Sequence, residues 1–436
     1  MTVRSNRLRI AIVAEHASAQ FGGEAALPLH YFRVLRSRNI DVRLVVHERT
    51  REELNDLFGP DPSITYITET PLARLLWRLG GYLPLRVASF TTGFVMRMET
   101  QVRQRTIIKS FVRDGLIDLV HQPMPVSPRE PSLLFGLGVP VVIGPMNGNM
   151  SLPPAFRKLE SLSGRAAVAI LRVLSLGLNR LLPGKPNSAV LVVANQRTRR
   201  ALPKSKHARI VELAENGVDL DIWMSDQSEE RHTHLASTTT EVPVVKLVYS
   251  GRLVEWKAVD HLLVAFSMAA EQSPLALTVI GDGVERESLE DMAVELGIFG
   301  TDEGIAGKVY FTGWLSQREC ADVLRRASGF VLPSLMECGG AVVLEAMAMG
   351  LPVIATNWGG PADYLNPYCG ILVDPGSPAS FAGGLAAAMS SLAASEELRD
   401  SMGCAGRSRV VAQFDWERKV DRMLAIYEAA ADRPIT

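Results

Sequence analysis

Twelve short apolar runs rich in β-branched residues punctuate this chain, and they limit its possible folds more than any other feature. In the first half they are LRIAIVA (8–14), DVRLVVH (41–47), IDLVHQ (117–122), PVVIGP (140–145), AVLVVAN (189–195) and ARIVEL (208–213). In the second half they are VKLVYSG (245–251), ALTVIGDG (276–283), KVYFTGW (308–314), GFVLPS (329–334), LPVIATN (351–357) and GILVDP (370–375). A run that is apolar at nearly every position, bounded by Gly, Pro or Asn, marks a strand buried on both faces, and such strands belong to parallel sheets. Segments of helical period lie between them, at 24–38, 257–272, 285–296, 316–327, 340–350 and 377–393. Strand alternating with helix means βαβ units and doubly wound α/β sheets. Twelve strands are too many for one compact sheet of this kind. Two Rossmann-like domains facing across a cleft are therefore expected. The polar stretch SDQSEERHTHLASTTTEVP (225–243) lacks apolar periodicity and reads as the linker. The expected division is a first domain at 1–224, the linker at 225–243, a second domain at 244–414, and a helix at 415–436 packing back toward the first domain.

The 436 residues are 47% hydrophobic, enough for a substantial core and incompatible with a disordered chain. No window approaches the ~18 consecutive apolar residues of a transmembrane helix. The apolar run near the N-terminus stops at Glu15 without a small-residue cleavage site, which fits a buried first strand better than a signal peptide. Cys320, Cys338, Cys369 and Cys404 form no CxxC pair and have no His at metal-ligand spacing. That usage suits a reducing cytosol and argues against a disulfide framework or structural zinc.

Net charge is −1, but its distribution is uneven: residues 1–240 hold 31 Lys+Arg against 21 Asp+Glu, and residues 241–436 hold 15 against 26. The basic half favours an anionic surface or substrate, and the acidic half speaks against nucleic acid. Solvated charge without a partner is the alternative. Two segments of the basic half, 72–98 and 164–182, are apolar, spaced with arginines and almost free of acid. Arg165, Arg172 and Arg180 fall seven and eight apart, on one helical face opposite Leu and Val. Such a helix either lies in an anionic membrane interface or packs between domains with a solvated basic face, and both readings stay open.

The densest chemistry is in PSLMECGGAVVLEAMAMGLPVIATNWGG, residues 333–360. A buried strand ends near Ser334, a glycine turn follows, and a helix opens near Gly340. Backbone N–H groups from Gly339 through Gly340 to Ala341 would form an anion site suited to a diphosphate. Glu337 precedes the helix and Glu345 lies about a turn and a half inside it, so both carboxylates can face one ligand. Carboxylates beside a phosphate make sense when they hold hydroxyls, which a nucleotide sugar offers on hexose and ribose. Capping glutamates on an ordinary βα unit would explain either residue alone, but not the whole string.

The E-x7-E spacing of Glu337 and Glu345, followed by EAMA.G.PVIA, resembles the donor motif of the family 4 glycosyltransferases (glycosyl transferases group 1), which have the GT-B fold. SGRLVEWKAVDHLLVAF (250–266) resembles the family's GRL….K segment, which implies Arg252 and Lys257 on the donor diphosphate. ENGVDLDIW (215–223) resembles its NGVD segment; VIGDGVERESLE (279–290) and VYFTGWLSQRECADVLRRA (309–327) resemble its nucleotide-side loops. These imply base contacts around Gly281–Gly283 and Trp314–Leu315. FGGEAALPLHYFRVL (21–35) resembles the glycine-rich loop that meets phosphate and acceptor, implying Gly22 and Gly23, brought to the phosphates by domain closure. His121 falls where the family often keeps a His beside the transferred sugar.

The resemblance covers nearly the whole chain and is most specific in the second half. It implies metal-independent, retaining transfer of a hexose from a nucleoside-diphosphate sugar, UDP- or GDP-linked, with no other cofactor. Arg252, Lys257, Glu337 and His121 would be its catalytic residues. It also implies a glycan or lipid-linked acceptor in polysaccharide assembly, in the cytoplasm or at the inner face of its membrane.

Departures are local: Cys338-Gly339-Gly340 stands where Gly-Phe-Gly is common, and Ala258 where a Gly often follows the lysine. Asp219-Leu220-Asp221 spells DxD, but without the matching sheet context it reads as turn and cap. Other GT-B sugar-nucleotide enzymes, an epimerase or a phosphorylase, share the two-domain plan. An NAD-dependent oxidoreductase would need a complete GxGxxG after the first strand, and Gly22-Gly23-Glu24 comes too late. A lectin-like relic would keep Arg252, Lys257, Glu337 and Glu345 only by coincidence.

Overall fold

The computed structural model describes residues 8–82, 87–88, 91–159, 172, 174–204, 208–224 and 243–432. Within them the apolar runs form two sheets in which every pairing is parallel. The first holds β1 (Ile10–Val13), β2 (Val42–His47), β3 (Ile64–Ile67), β4 (Leu119–Gln122), β5 (Val141–Met146), β6 (Val190–Val193) and β7 (Arg209–Glu212), in the order β3-β2-β1-β4-β5-β6-β7. The second holds β8 (Val245–Ser250), β9 (Leu275–Ile280), β10 (Val309–Gly313), β11 (Gly329–Leu332), β12 (Val353–Thr356) and β13 (Gly370–Val373), in the order β10-β9-β8-β11-β12-β13. Each sheet reverses its winding once, between β1 and β4 and between β8 and β11. At such a switch point the loops leaving the carboxyl ends of two adjacent strands part, and a ligand has room to enter.

β3 is the strand that the apolar pattern does not disclose. It is an edge strand whose Thr65 and Tyr66 are only half-buried, so it lacks a continuous apolar run.

The chain forms two compact units. The first contains 8–149, 172–215 and 416–432; the second contains 150–159, 216–224 and 243–415. The first unit thus stops at 215, short of the expected 224. Residues after 215 are tied into the second unit, where Val218 N donates to Phe414 O at 2.8 Å and Asn216 Nδ2 to Tyr364 Oη at 3.1 Å. The excursion at 150–159 was not expected. It is fixed by Phe156, buried against Phe381 and His261, and by Trp358 Nε1 donating to Ser151 O at 2.8 Å. The stretch read as linker, save its last residue, lies outside the described residues.

In the first unit, helix Trp416–Ala431 packs on helix Gly23–Ser37 and gives Trp416, Val420, Met423 and Tyr427 to the core. Arg38 holds its outer side through Glu417 and Asp421, each at 2.6 Å. Lys419 is buried beneath the Trp416 ring and donates to the carbonyls of Ala214, at 2.7 Å, and Glu215. Burial pushes this ammonium down to about 7.

Of the two basic segments, 72–98 contributes helix Pro71–Gly80 and the start of helix Thr92–Arg113. In 164–182, Arg165 lies outside the described residues. The described part is anchored by buried Asn179, whose Nδ2 donates to Arg129 O at 2.8 Å, while Leu174, Leu176 and Leu181 are exposed. No helix among the described residues is long and apolar enough to cross a membrane.

Candidate active site

The switch point of the second unit gathers four of the expected residues from two neighbouring loops. The loop after β8 runs from Gly251 through exposed Arg252 and a single turn, Glu255–Lys257. Ala258 follows at φ 52, a left-handed conformation that costs an alanine about 1 kcal/mol. This is the physical reason a glycine is natural at that position. The loop after β11 returns beside it: Leu335 N donates to Trp256 O at 2.9 Å, and Lys257 Nζ is ion-paired with a Glu337 carboxylate oxygen. The two side chains of this pair are equally half-buried, each 16% exposed.

Beyond Glu337 the chain turns through Gly340, at φ 77, into helix Ala341–Ala348. No side chain caps this start, and its first N–H groups have no acceptor within the helix. Glu345 lies one turn further on. Burial pushes its carboxyl up to about 7.

Gly359 and Gly360 form the floor of the turn, a role the sequence reading did not assign. Gly360 N donates to Glu337 O at 2.8 Å. A Cβ on Gly359 would strike Glu337 O, and one on Gly360 would strike the carbonyls of Cys338 and Gly339. The signal was present as a glycine doublet separated by two residues from the end of β12.

Gly281 and Gly283 follow β9, and Trp314 and Leu315 follow β10; Gly281 N donates to Gly313 O at 2.8 Å. The two glycines let backbones approach closely. A Cβ on Gly281 would strike Gly251 O, and one on Gly283 would strike Leu253 O, so both let the β9 loop lie on the loop carrying Arg252. The Trp314 ring is exposed at the same end of the sheet. Asp219 stands at the N-cap of the one-turn helix Leu220–Trp223, in keeping with a turn role for DLD. Among the described residues no cluster of three or more His, Cys, Asp or Glu could hold a metal ion.

In the first unit Gly22, at φ 96, and Gly23 open helix Gly23–Ser37, both exposed and without a side-chain cap. His121 requires a correction. The resemblance implied a His beside the transferred sugar, yet this ring is fully buried within the core. Its Nε2–H donates to Gly144 O at 2.6 Å, and its Nδ1 accepts from Tyr427 Oη–H at 2.7 Å. Desolvation pushes it down to about 4, so it is neutral with both nitrogens occupied. It ties β4 to β5 and to the last helix, and it cannot touch a sugar in this arrangement. The polar groups at the carboxyl end of β1 are instead Glu15 and His16, 3.5 Å apart, with His16 pushed down to about 4 by burial. The sequence reading passed over both.

Two doubly wound parallel sheets in succession are the GT-B fold, and solved structures of that fold match almost the whole chain. Anabaena Alr3699/HepE in complex with UDP and glucose aligns with a TM-score of 0.61 at 14% identity, over 97% of this chain and 100% of that one. The lipopolysaccharide outer core galactosyltransferase WaaB aligns at 0.59 with 15% identity, over 97% and 100%. The family model of the glycosyl transferases group 1 matches residues 233–409 of this chain. Among curated relatives, the lipopolysaccharide core biosynthesis glycosyltransferase LpsE of Rhizobium meliloti is 33% identical over 43% of this chain and 51% of its own length. The D-inositol 3-phosphate glycosyltransferase of Segniliparus rotundus is 33% identical over 50% and 47%. The chain spans about half the length of the curated relatives it matches.

Proposed function

We propose that this chain is a retaining glycosyltransferase that moves a hexose from a UDP- or GDP-sugar to a hydroxyl of a glycan or lipid-linked oligosaccharide, in polysaccharide or glycoconjugate assembly. The observation that carries the reading is the convergence of Arg252, Lys257, Glu337 and an uncapped, glycine-led helix start at one switch point. A nucleoside diphosphate leaves with growing negative charge. Two fixed cations and a set of backbone N–H donors neutralise it without reorganising. In the free chain Lys257 is held by Glu337; an arriving diphosphate takes over the ammonium and frees the carboxylate for the sugar hydroxyls. Glu345 accepts from the ribose. The departing phosphate oxygen takes the acceptor's proton during front-face attack, so no second carboxylate at glycosidase separation is needed. Gly22 and Gly23 offer N–H groups to an anionic part of a substrate. UDP and glucose in the HepE complex support the donor class, and the basic first half of the chain supports an acceptor held on a lipid at the inner face of the cytoplasmic membrane.

Thermal unfolding with UDP-, GDP- and ADP-sugars, in EDTA, tests the reading. One nucleotide class is expected to raise the apparent Tm and to support transfer to a hydroxyl acceptor with the anomeric configuration kept. Stabilisation by none of them, or only after a divalent metal is added, would overturn it.

Glu345 gives a separate pH dependence. Its folded-state pKa is raised to about 7, so it is neutral below that pH and ionised above it. An ionised carboxylate accepts from both ribose hydroxyls, so the donor KM should fall as pH rises from 6 to 8. Glu345→Gln should remove this step and raise KM about tenfold with little change in kcat, because ribose contacts are alike in ground and transition states. A pure kcat defect would move Glu345 to the reacting centre.

A further inference from the structure

Helix Pro71–Gly80 has more apolar surface than its packing uses. Thr70 caps it, its hydroxyl accepting from Ala73 N at 3.0 Å, and the helix lies against helix Thr92–Arg113. The inward side consists of Ala73, Leu76 and Gly80, three and four residues apart; Ala73 is buried, and a Cβ on Gly80 would sit 2.8 Å from Thr92 Oγ1. A surface helix ordinarily turns polar beyond such a stripe. Here the next positions round the helix are Leu72, Leu75 and Leu79, which are 49%, 54% and 48% exposed. Trp77, on the other flank, is 69% exposed, and Tyr82 just beyond the helix is 89% exposed.

Charge on this surface has one sign. Arg74 and Arg78 stand one turn apart on the outward side, and no Asp or Glu occurs from 70 to 98. Arg74 is within electrostatic reach of Glu69, while Arg78 has no carboxylate partner among the described residues. Exposed leucines, an exposed Trp and Tyr, and arginines without matching acids are the composition of a helix lying in a headgroup layer.

We infer that the leucine flank of helix Pro71–Gly80 is a membrane-docking ridge, with Leu72, Leu75 and Leu79 entering the boundary between headgroups and acyl chains and Arg78 and Arg74, on the adjoining outward side, at anionic lipid phosphates. The inference deepens the proposed lipid-side acceptor and rests on it for its purpose. Its test needs no sugar donor, so binding can fail while transfer stands, or the reverse.

The full chain is sedimented with vesicles of phosphatidylcholine alone and of phosphatidylcholine with phosphatidylglycerol, at low and high salt. The wild-type chain should bind the anionic vesicles at least tenfold more tightly than the neutral ones, and high salt should weaken that binding. Leu75→Glu with Leu79→Glu should lose at least tenfold at either salt while unfolding at the wild-type temperature, since both side chains are exposed. Unchanged binding by the double variant, or equal binding to neutral vesicles, would overturn the inference. So would a wild-type chain that ignores both vesicles but self-associates, with the double variant monodisperse; the ridge would then face a second copy of this chain.

Discussion

Lys257→Ala and Arg252→Ala should each turn over about 30- to 1000-fold more slowly than the wild-type chain at saturating donor. The range follows from losing one charge-assisted hydrogen bond to a leaving diphosphate, worth about 2–4 kcal/mol in an organised site at 1.36 kcal/mol per tenfold. The two variants should differ in their side effects. Arg252 is exposed, so its removal should leave the unfolding temperature where it was. Lys257 is the ion-pair partner of half-buried Glu337, so its removal strands a carboxylate and should lower the unfolding temperature as well. Lys257→Arg should restore the stability more than the rate, because a planar guanidinium satisfies the carboxylate but places its charge differently. Near-normal turnover in both alanine variants would remove the diphosphate from this loop.

Gly360→Ala should be as damaging without removing any charge. Its new Cβ would lie within van der Waals contact of the Cys338 and Gly339 carbonyls and 2.6 Å from the Gly339 carbonyl carbon, all of them backbone. Neither loop can yield by rotating a side chain, so the turn that leads into helix Ala341–Ala348 must move. Overpacking of this kind costs about 1–3 kcal/mol. The expected result is a lower unfolding temperature together with loss of the stabilisation given by the donor. Gly383→Ala is the matched control: it lies inside helix Pro378–Ala394 with nothing within 4 Å of its Cβ. It should stabilise by up to about 1 kcal/mol and leave donor binding alone. If the two variants bind donor equally well, the glycine floor has no part in holding the site.

The strands were legible because a parallel sheet covered on both faces demands apolar residues at successive positions, and every run of that kind became a strand. β3 escaped because an edge strand is freed from the demand on one side. The same uniformity explains the misplacement of His121. All four residues of β4 are buried, so no polar face tells which way a side chain points. A histidine there reads the same whether it faces a ligand or closes a hydrogen-bonded chain to Gly144 and Tyr427. Lys257 and Glu337 were legible as chemistry, but eighty residues separate them and their pairing is a product of strand order. The excursion at 150–159 had no local signature, since Phe156 finds its partners more than a hundred residues later in His261 and Phe381.

The route of the chain through its first unit also separates the order of synthesis from the order of folding. Seven strands and most of the helices around them are translated before residue 216, yet one layer of that core comes from residues 416–431, made only after the second unit. Until helix Trp416–Ala431 emerges from the ribosome, the surface for Trp416, Val420, Met423 and Tyr427 stays open, the Nδ1 atom of His121 lacks its donor, and the Ala214 and Glu215 carbonyls wait for Lys419. The sheet of the second unit, whose strands all lie between Val245 and Val373, can be completed first. An amino-terminal fragment cut at the unit boundary would therefore be an intermediate with an exposed apolar seam rather than a domain. A shortened version that keeps the first unit has to keep helix Trp416–Ala431 with it.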